Sequence, residues 1–208
     1  MAVLLVALVA LFAVAPFIEH HGARYWDAIL TSLLLIGALF AVAGHRRRNL
    51  IVVLIGLPVL VGRWVVLIWY GNEPSVFYIV GLIFFISVVV WQMLRFIIWA
   101  PSVTTEVLWA GLATYLLLAL LWAAAYIVVA RLDPNAFEGV APVNQPLHGF
   151  NALYFSVGCL TTGGGGAIVP FSGAARMLAM FEGITGPLFL AVLISRLVSL
   201  HTSVTKDR

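Results

Sequence analysis

Residues 151–170 read NALYFSVGCLTTGGGGAIVP, and the run from Met177 to Leu200 that follows is apolar almost throughout. The stretch opens as a short apolar helix, passes through Thr161 and Thr162 into four consecutive glycines, Gly163 to Gly166, and ends in a small loop closed by Pro170. Four adjacent glycines do not make a spanning helix, because each costs backbone entropy and carries no side chain to pack. In hydrocarbon every backbone N–H and C=O needs a partner, so non-helical backbone persists at membrane depth only where protein buries it or water lines it. The expectation is a re-entrant loop beside an aqueous path.

Composition supplies the membrane. Of 208 residues, 63% are hydrophobic and 9% charged, and the mean hydropathy is +1.12, a profile of polytopic membrane proteins that leaves no room for a sizeable soluble domain. Apolar runs fall near residues 2–17, 26–43, 50–70, 75–99, 105–130 and 177–200, against roughly 20 residues needed to span a bilayer. The sequence therefore predicts an all-α integral membrane fold of six transmembrane helices, with a re-entrant helix and loop between helices 5 and 6. Residues 1–100 are expected to form a peripheral four-helix domain and 101–208 the domain that carries the loop.

Orientation follows from basic residues in short loops. His45, Arg46, Arg47 and Arg48 between spans two and three mark the inner side, and Lys206 with Arg208 agrees. Both termini then lie in the cytoplasm, and residues 131–147 and the glycine loop face outside. Ala13-Val14-Ala15 resembles a signal-peptidase site, but the preceding residues lack a basic side chain and Pro16 would follow the cut, so the first helix is expected to be retained. The net charge of +3 mostly restates this bias. Scattered basic residues without aromatic platforms give no nucleic-acid footprint.

Tyr154-Phe155-Ser156-Val157, Leu160-Thr161-Thr162, Gly164, Gly166 and Ile168-Val169-Pro170 resemble the pore helix and selectivity filter of the potassium channel superfamily, usually YFSVVTLTTVGYGDIVP. Ala175-Arg176, Leu178-Ala179-Met180, Glu182, Ile184-Thr185-Gly186, Leu188 and Leu190-Ala191-Val192-Leu193 resemble the inner helix of its small bacterial members. The resemblance implies a pore helix over 149–160, a filter over 161–166 and an inner helix over 176–200. Three residues depart from the pattern: Gly163 stands for Val or Ile, Gly165 for the aromatic and Ala167 for the acid.

By this resemblance Thr161, Thr162, Gly163, Gly164, Gly165 and Gly166 form the ion filter. The Thr162 hydroxyl would be the innermost ligand, and the carbonyls of residues 162 to 165 would replace hydration. Gly164 and Gly166 match family positions where glycine permits unusual φ values. The missing side chains at 163 and 165 are expected to leave a space around the loop and to add about 0.5 to 1 kcal/mol of backbone entropy each. Three states of the loop stay open: wide and weakly selective, collapsed, or an anion-binding nest of amides. Restoring Val at 163, Tyr at 165 and Asp at 167 is expected to raise K⁺ selectivity. Filter support is assigned to Ala167, which lacks the usual acid, and to Glu182 in its place. Gly186 and Pro187 read as a kink, where the resemblance implies a gating hinge, and Thr185, Phe189 and Leu193 are candidate cavity residues, the face of the helix that turns inward staying open.

Span four holds only Arg95 and span three only Arg63, too few for a steep voltage sensor. Asp27 is the expected partner of Arg63, with snorkelling as the alternative, and Glu106 that of Arg95. His20 and His21 read as solvated loop residues, the lone Cys159 as a small buried residue, and Asp133 and Glu138 as part of an outer turret. No cofactor is expected, and no metal beyond permeant K⁺ or Na⁺. The acidic and basic residues lie at different levels on different helices, which speaks against an enzyme. The reading is a passive, weakly selective cation channel subunit in a bacterial inner membrane, without a soluble regulatory domain, that surrounds a pore as a homotetramer or larger ring. The alternative is a non-conducting channel-fold scaffold or accessory subunit.

Overall fold

The computed structural model describes residues 1–18, 31–33, 35–38, 56–65, 75–140 and 147–206, with side chains as far as Ser199. The chain divides into two compact units, Met1–Gln92 and Met93–Arg208. Three described helices are long and apolar enough to cross a membrane: Val76–Trp99, Thr105–Leu132 and Gly173–Ser199. They coincide with the expected fourth, fifth and sixth spans. The expected second and third spans lie largely outside the described residues.

The first unit contains α1 (Ala2–Ile18), helical residues 31–33 and 35–38, α2 (Gly56–Val65) and most of α3 (Val76–Trp99). Small residues set its close approaches, as is usual where helices pack without a strong hydrophobic drive. Gly37 lies against Leu4 and Ala7, Gly62 against Tyr78 and Gly81 against Val59. Arg63 is buried. Its expected partner Asp27, like His20, His21 and the 45–48 basic cluster, lies outside the described residues.

In the second unit, α4 (Thr105–Leu132) is 28 residues long, about 42 Å at 1.5 Å per residue. Its buried residues include Val107, Ala110, Gly111, Thr114, Leu117 and Leu118, the three- and four-residue spacing of one helix face. Pro134 follows the last turn and disfavours helix at Asp133. The Asn135 amide donates to Asp133 Oδ1 at 3.0 Å, a local turn bond of the kind aspartate makes. The chain then forms β1 (Phe137–Glu138).

The short helix α5 (Gly149–Leu160) packs against α4 and against α6 (Gly173–Lys206). Between α5 and α6, β2 (Val169–Pro170) pairs antiparallel with β1, Phe137 opposite Pro170 and Glu138 opposite Val169. The Phe171 amide extends the ribbon with a 2.8 Å bond to the Ala136 carbonyl. The predicted outer turret is thus stitched to the exit of the glycine loop. Its strands are two residues each, too short for any alternation to show in sequence.

α5 has the predicted boundaries, whereas α6 begins three residues before Arg176, where the inner helix was expected to start. Ser172 explains the difference: its Oγ accepts the Ala175 amide at 3.1 Å, which caps the helix ahead of Arg176. Arg176 instead donates through Nε to the Pro170 carbonyl at 3.2 Å and lies 5.8 Å from the Phe171 ring centre. Arg95 and Glu106 are both exposed, and no ion pair between them occurs among the described residues. The α3 terminus is held otherwise: Arg196 of α6 donates to the Ala100 carbonyl at 2.9 Å, placing a cation at the negative end of a helix.

Ser172→Ala should lower stability by about 1 kcal/mol, read as a fall in thermal midpoint. Ser87→Ala should change it by less than about 0.5 kcal/mol, because Ser87 Oγ only back-bonds to the Ile83 carbonyl of its own helix, an interaction that does little for a helix.

Candidate functional site at the glycine loop

Helix α5 positions the loop and is itself held from three sides. Ala152, Leu153, Phe155, Ser156 and Leu160 are buried. The Phe155 ring makes edge contacts with Tyr126 of α4, centroids 4.9 Å apart, and with Phe137 of β1, 5.5 Å apart. Ser156 Oγ lies 2.7 Å from the Ala119 carbonyl oxygen and 2.5 Å from Glu182 Oε1. At the helix end, Tyr115 donates to the Leu160 carbonyl at 3.3 Å.

The backbone then turns sharply. The Thr162 amide bonds to the Cys159 carbonyl at 3.1 Å and the Gly164 amide to the Gly158 carbonyl at 2.9 Å, folding the loop back over the helix that leads into it. Gly164 and Gly166 have φ of 79° and 63°, left-handed values that favour glycine. Thr162 shares the left-handed region at φ 60°. For a β-branched residue that is an outlier, costing on the order of 1 to 3 kcal/mol. Its hydroxyl donates to the Thr161 carbonyl at 2.6 Å.

The two glycines that replace side chains differ from each other. A Cβ at Gly163 would meet only ordinary contacts, Thr161 Oγ1 at 3.6 Å and the Gly158 carbonyl at 3.8 Å. At Gly165 a Cβ would run into the Phe155 ring and the Ile168 carbonyl. The expected space beside the loop is therefore absent at 165, where Phe155 fills it. Restoring Tyr at 165 alone would collide with that ring. Gly158 and Gly166 are constrained too: a side chain at 158 would strike the Gly164 carbonyl, and one at 166 the Tyr154 hydroxyl.

Four carbonyls were expected to face the path. Two of them, at Gly164 and Gly165, turn into the protein: the first lies against Gly158 and the second accepts the Ile168 amide at 3.1 Å. Thr161, Thr162, Gly163, Gly164, Gly166 and Ala167 are exposed, and the Ala167 carbonyl lies against Gly139 of the turret.

The remaining assigned residues gather on α6. Glu182 is fully buried, and its Oε2 accepts the Tyr126 hydroxyl at 2.5 Å. Its hydrogen bonds are with α4 and with the helix that carries the loop rather than with the loop. Gly186 lies against the Leu160 carbonyl, where a side chain would collide, so this glycine permits a close helix approach next to Pro187. Phe189 stacks on Tyr115 at 5.9 Å and Leu193 covers Gly111. Phe189 and Leu193, two of the three expected cavity residues, thus lie against α4 within the chain, on the three- and four-residue stripe that Glu182 and Gly186 share. Thr185 lies off that stripe, its hydroxyl bonded to the Phe181 carbonyl at 2.7 Å.

Tyr126 and Arg196 were not among the expected residues, and Ser156 stood only within the resembling stretch, with no role. Arg196 continues the stripe of Leu193 and was legible as such; the bonds of the two hydroxyls gave no signal apart from their partners.

No curated protein and no solved structure matches the chain. Residues 102–203 match the family described as Ion channel, which supports a potassium-channel-like ion channel subunit, a membrane transport protein rather than an enzyme, in the half of the chain that holds this loop.

Proposed function

We propose that the chain is a subunit of a passive cation channel, in which the 161–166 loops of several copies surround a shared path and discriminate weakly between K⁺ and Na⁺. The observation that carries this reading is the exposed loop backbone directly after α5. At membrane depth such backbone needs water or protein against it, and copies arranged around an aqueous path provide both. One loop per chain cannot enclose a path, so the subunits form a ring, a homotetramer by family likeness. The membrane is a bacterial inner membrane by likeness to the small bacterial members, with both termini cytoplasmic by the basic residues of the short loops.

Weak selectivity follows from the number of ligands. A filter replaces hydration with carbonyl oxygens, and here the Gly164 and Gly165 carbonyls are turned into the chain. Ions then keep part of their water, and K⁺ and Na⁺ pass with little distinction. The anion nest is disfavoured, because the Gly164 and Ile168 amides are already bonded within the chain. The same inward turn, with the left-handed Thr162, favours a closed, non-conducting module as the second reading.

The purified protein in planar bilayers should give ohmic cation current that reverses near zero in a K⁺/Na⁺ gradient and near the cation potential in a K⁺/Cl⁻ gradient, with altered conductance in Thr162→Ala. Reversal near the K⁺ potential in the first gradient would contradict weak selectivity. Silence under every gradient would favour the closed module.

The loop geometry also ranks its glycines. Gly163→Ala should assemble with a thermal midpoint near that of the wild type. Gly158→Ala should cost about 1 to 3 kcal/mol through overpacking, because its Cβ meets backbone that cannot move aside. Equal losses in the two variants would show that the loop does not rest on α5 as described.

A further inference from the structure

Glu182 sits where α4, α5 and α6 meet, and none of its surface is exposed. Ser156 Oγ is 2.5 Å from Glu182 Oε1 and 2.7 Å from the Ala119 carbonyl oxygen. Tyr126 donates to Glu182 Oε2. A serine hydroxyl has a single proton, and a backbone carbonyl can only accept. The Ser156 proton is therefore committed to Ala119, which leaves only lone pairs on Ser156 Oγ toward Glu182. Two oxygens at 2.5 Å need a proton between them, since that is the distance of a strong O–H···O bond. Glu182 is the one group left to supply it.

We infer that Glu182 is held as an un-ionised carboxylic acid whose Oε1 proton is donated to Ser156, completing a hydrogen-bonded chain from Tyr126 through Glu182 and Ser156 to Ala119 that fastens α5 to both neighbouring helices. The surroundings agree with this proton count. The titratable groups that face the carboxyl are Tyr126 and Tyr115 from α4 and Cys159 from α5, and no cation among the described residues acts on it. On α6 itself, Arg176 is engaged with the Pro170 carbonyl. An ionised Glu182 would be a buried charge without a counter-ion, which is strongly unfavourable. The neutral acid satisfies both of its oxygens.

Glu182 is thus a positioning residue: it does not line the loop, but it fixes the helix on which the loop is built. Removing its proton leaves two oxygens facing each other across the α5–α6 contact, so alkaline pH should loosen the loop without touching a loop residue.

Infrared difference spectra between wild type and Glu182→Gln, recorded in lipid bilayers at neutral pH, test this directly. The expected result is a C=O stretch of an un-ionised carboxylic acid in the wild type, shifted in D₂O and absent from the variant. Tyr126→Phe should keep that band and move it to higher frequency, because the Oε2 carbonyl loses its donor; this variant reads the band even where Glu182→Gln does not fold. Glu182→Gln, whose amide can replace both donor and acceptor, should retain the thermal midpoint of the assembly and abolish its decline on alkaline titration. Carboxylate bands in place of the C=O stretch, in wild type and Tyr126→Phe alike, overturn the assignment. None of these readings requires current, so a protein silent in bilayers would sink the permeation reading and leave this one decided.

Discussion

The Phe155 ring is the contact on which the second unit turns. It meets Tyr126 of α4 and Phe137 of β1 edge-on, and it occupies the place beside Gly165. One side chain therefore joins a spanning helix, the turret ribbon and the loop. Aromatic edge contacts each add about 0.5 to 1.5 kcal/mol beyond area burial, and the Tyr126–Phe137 contact at 5.8 Å closes the triangle. The loop gains its shape from this cluster rather than from side chains of its own. Four glycines would otherwise leave it a broad choice of conformations. The close approach of Gly158 to the Gly164 carbonyl and of Gly166 to the Tyr154 hydroxyl narrows that choice from the same helix.

Polar groups within the spans follow a consistent economy. Ser87, Thr114 and Thr185 return their hydroxyls to carbonyls of their own helices at 2.7 to 2.8 Å, which removes a donor from hydrocarbon without joining one helix to another. Tyr115 and Ser156 join α4 to α5 through the Leu160 and Ala119 carbonyls, and the groups that join α6 to its neighbours lie along one stripe. Glu182 meets Ser156 and Tyr126, Gly186 meets the Leu160 carbonyl, and Arg196 meets Ala100. Along one face of α6, then, contacts run from the back of the loop-bearing helix to the end of α3. A displacement of α6 would be felt at both ends of that line.

Residue pattern made the long elements legible and left the cross-chain contacts hidden. The spans over α3, α4 and α6 follow from largely apolar runs as long as a bilayer needs, whereas the limits expected for α5 came from the resemblance. The positive φ at Gly164 and Gly166 was readable only through the resemblance, since nothing in four adjacent glycines tells one from the next. The fate of Gly165 was not readable. Whether a missing side chain leaves a void or admits a neighbour depends on where Phe155 points, which α4 and β1 decide. The proposed Arg95–Glu106 pair failed for a related reason, since nearness to the same membrane level does not bring two exposed side chains together. Which face of α6 Phe189 and Leu193 occupy was not readable either: their spacing with Glu182 and Gly186 puts the four on one stripe, but only the contacts with Tyr115 and Gly111 show that this stripe is packed.

The most direct test of this account exchanges the aromatic group between helix and loop. Phe155→Ala, Gly165→Tyr and the double variant would be compared in a thermal-unfolding cycle of the assembled protein. Each single change should be destabilising, Phe155→Ala by about 3 to 5 kcal/mol, while the double variant should lose far less than the sum, because the Tyr ring enters the space that Phe155 vacates. Losses that simply add would contradict the claim that Phe155 occupies the space beside Gly165 and sets the form of the loop.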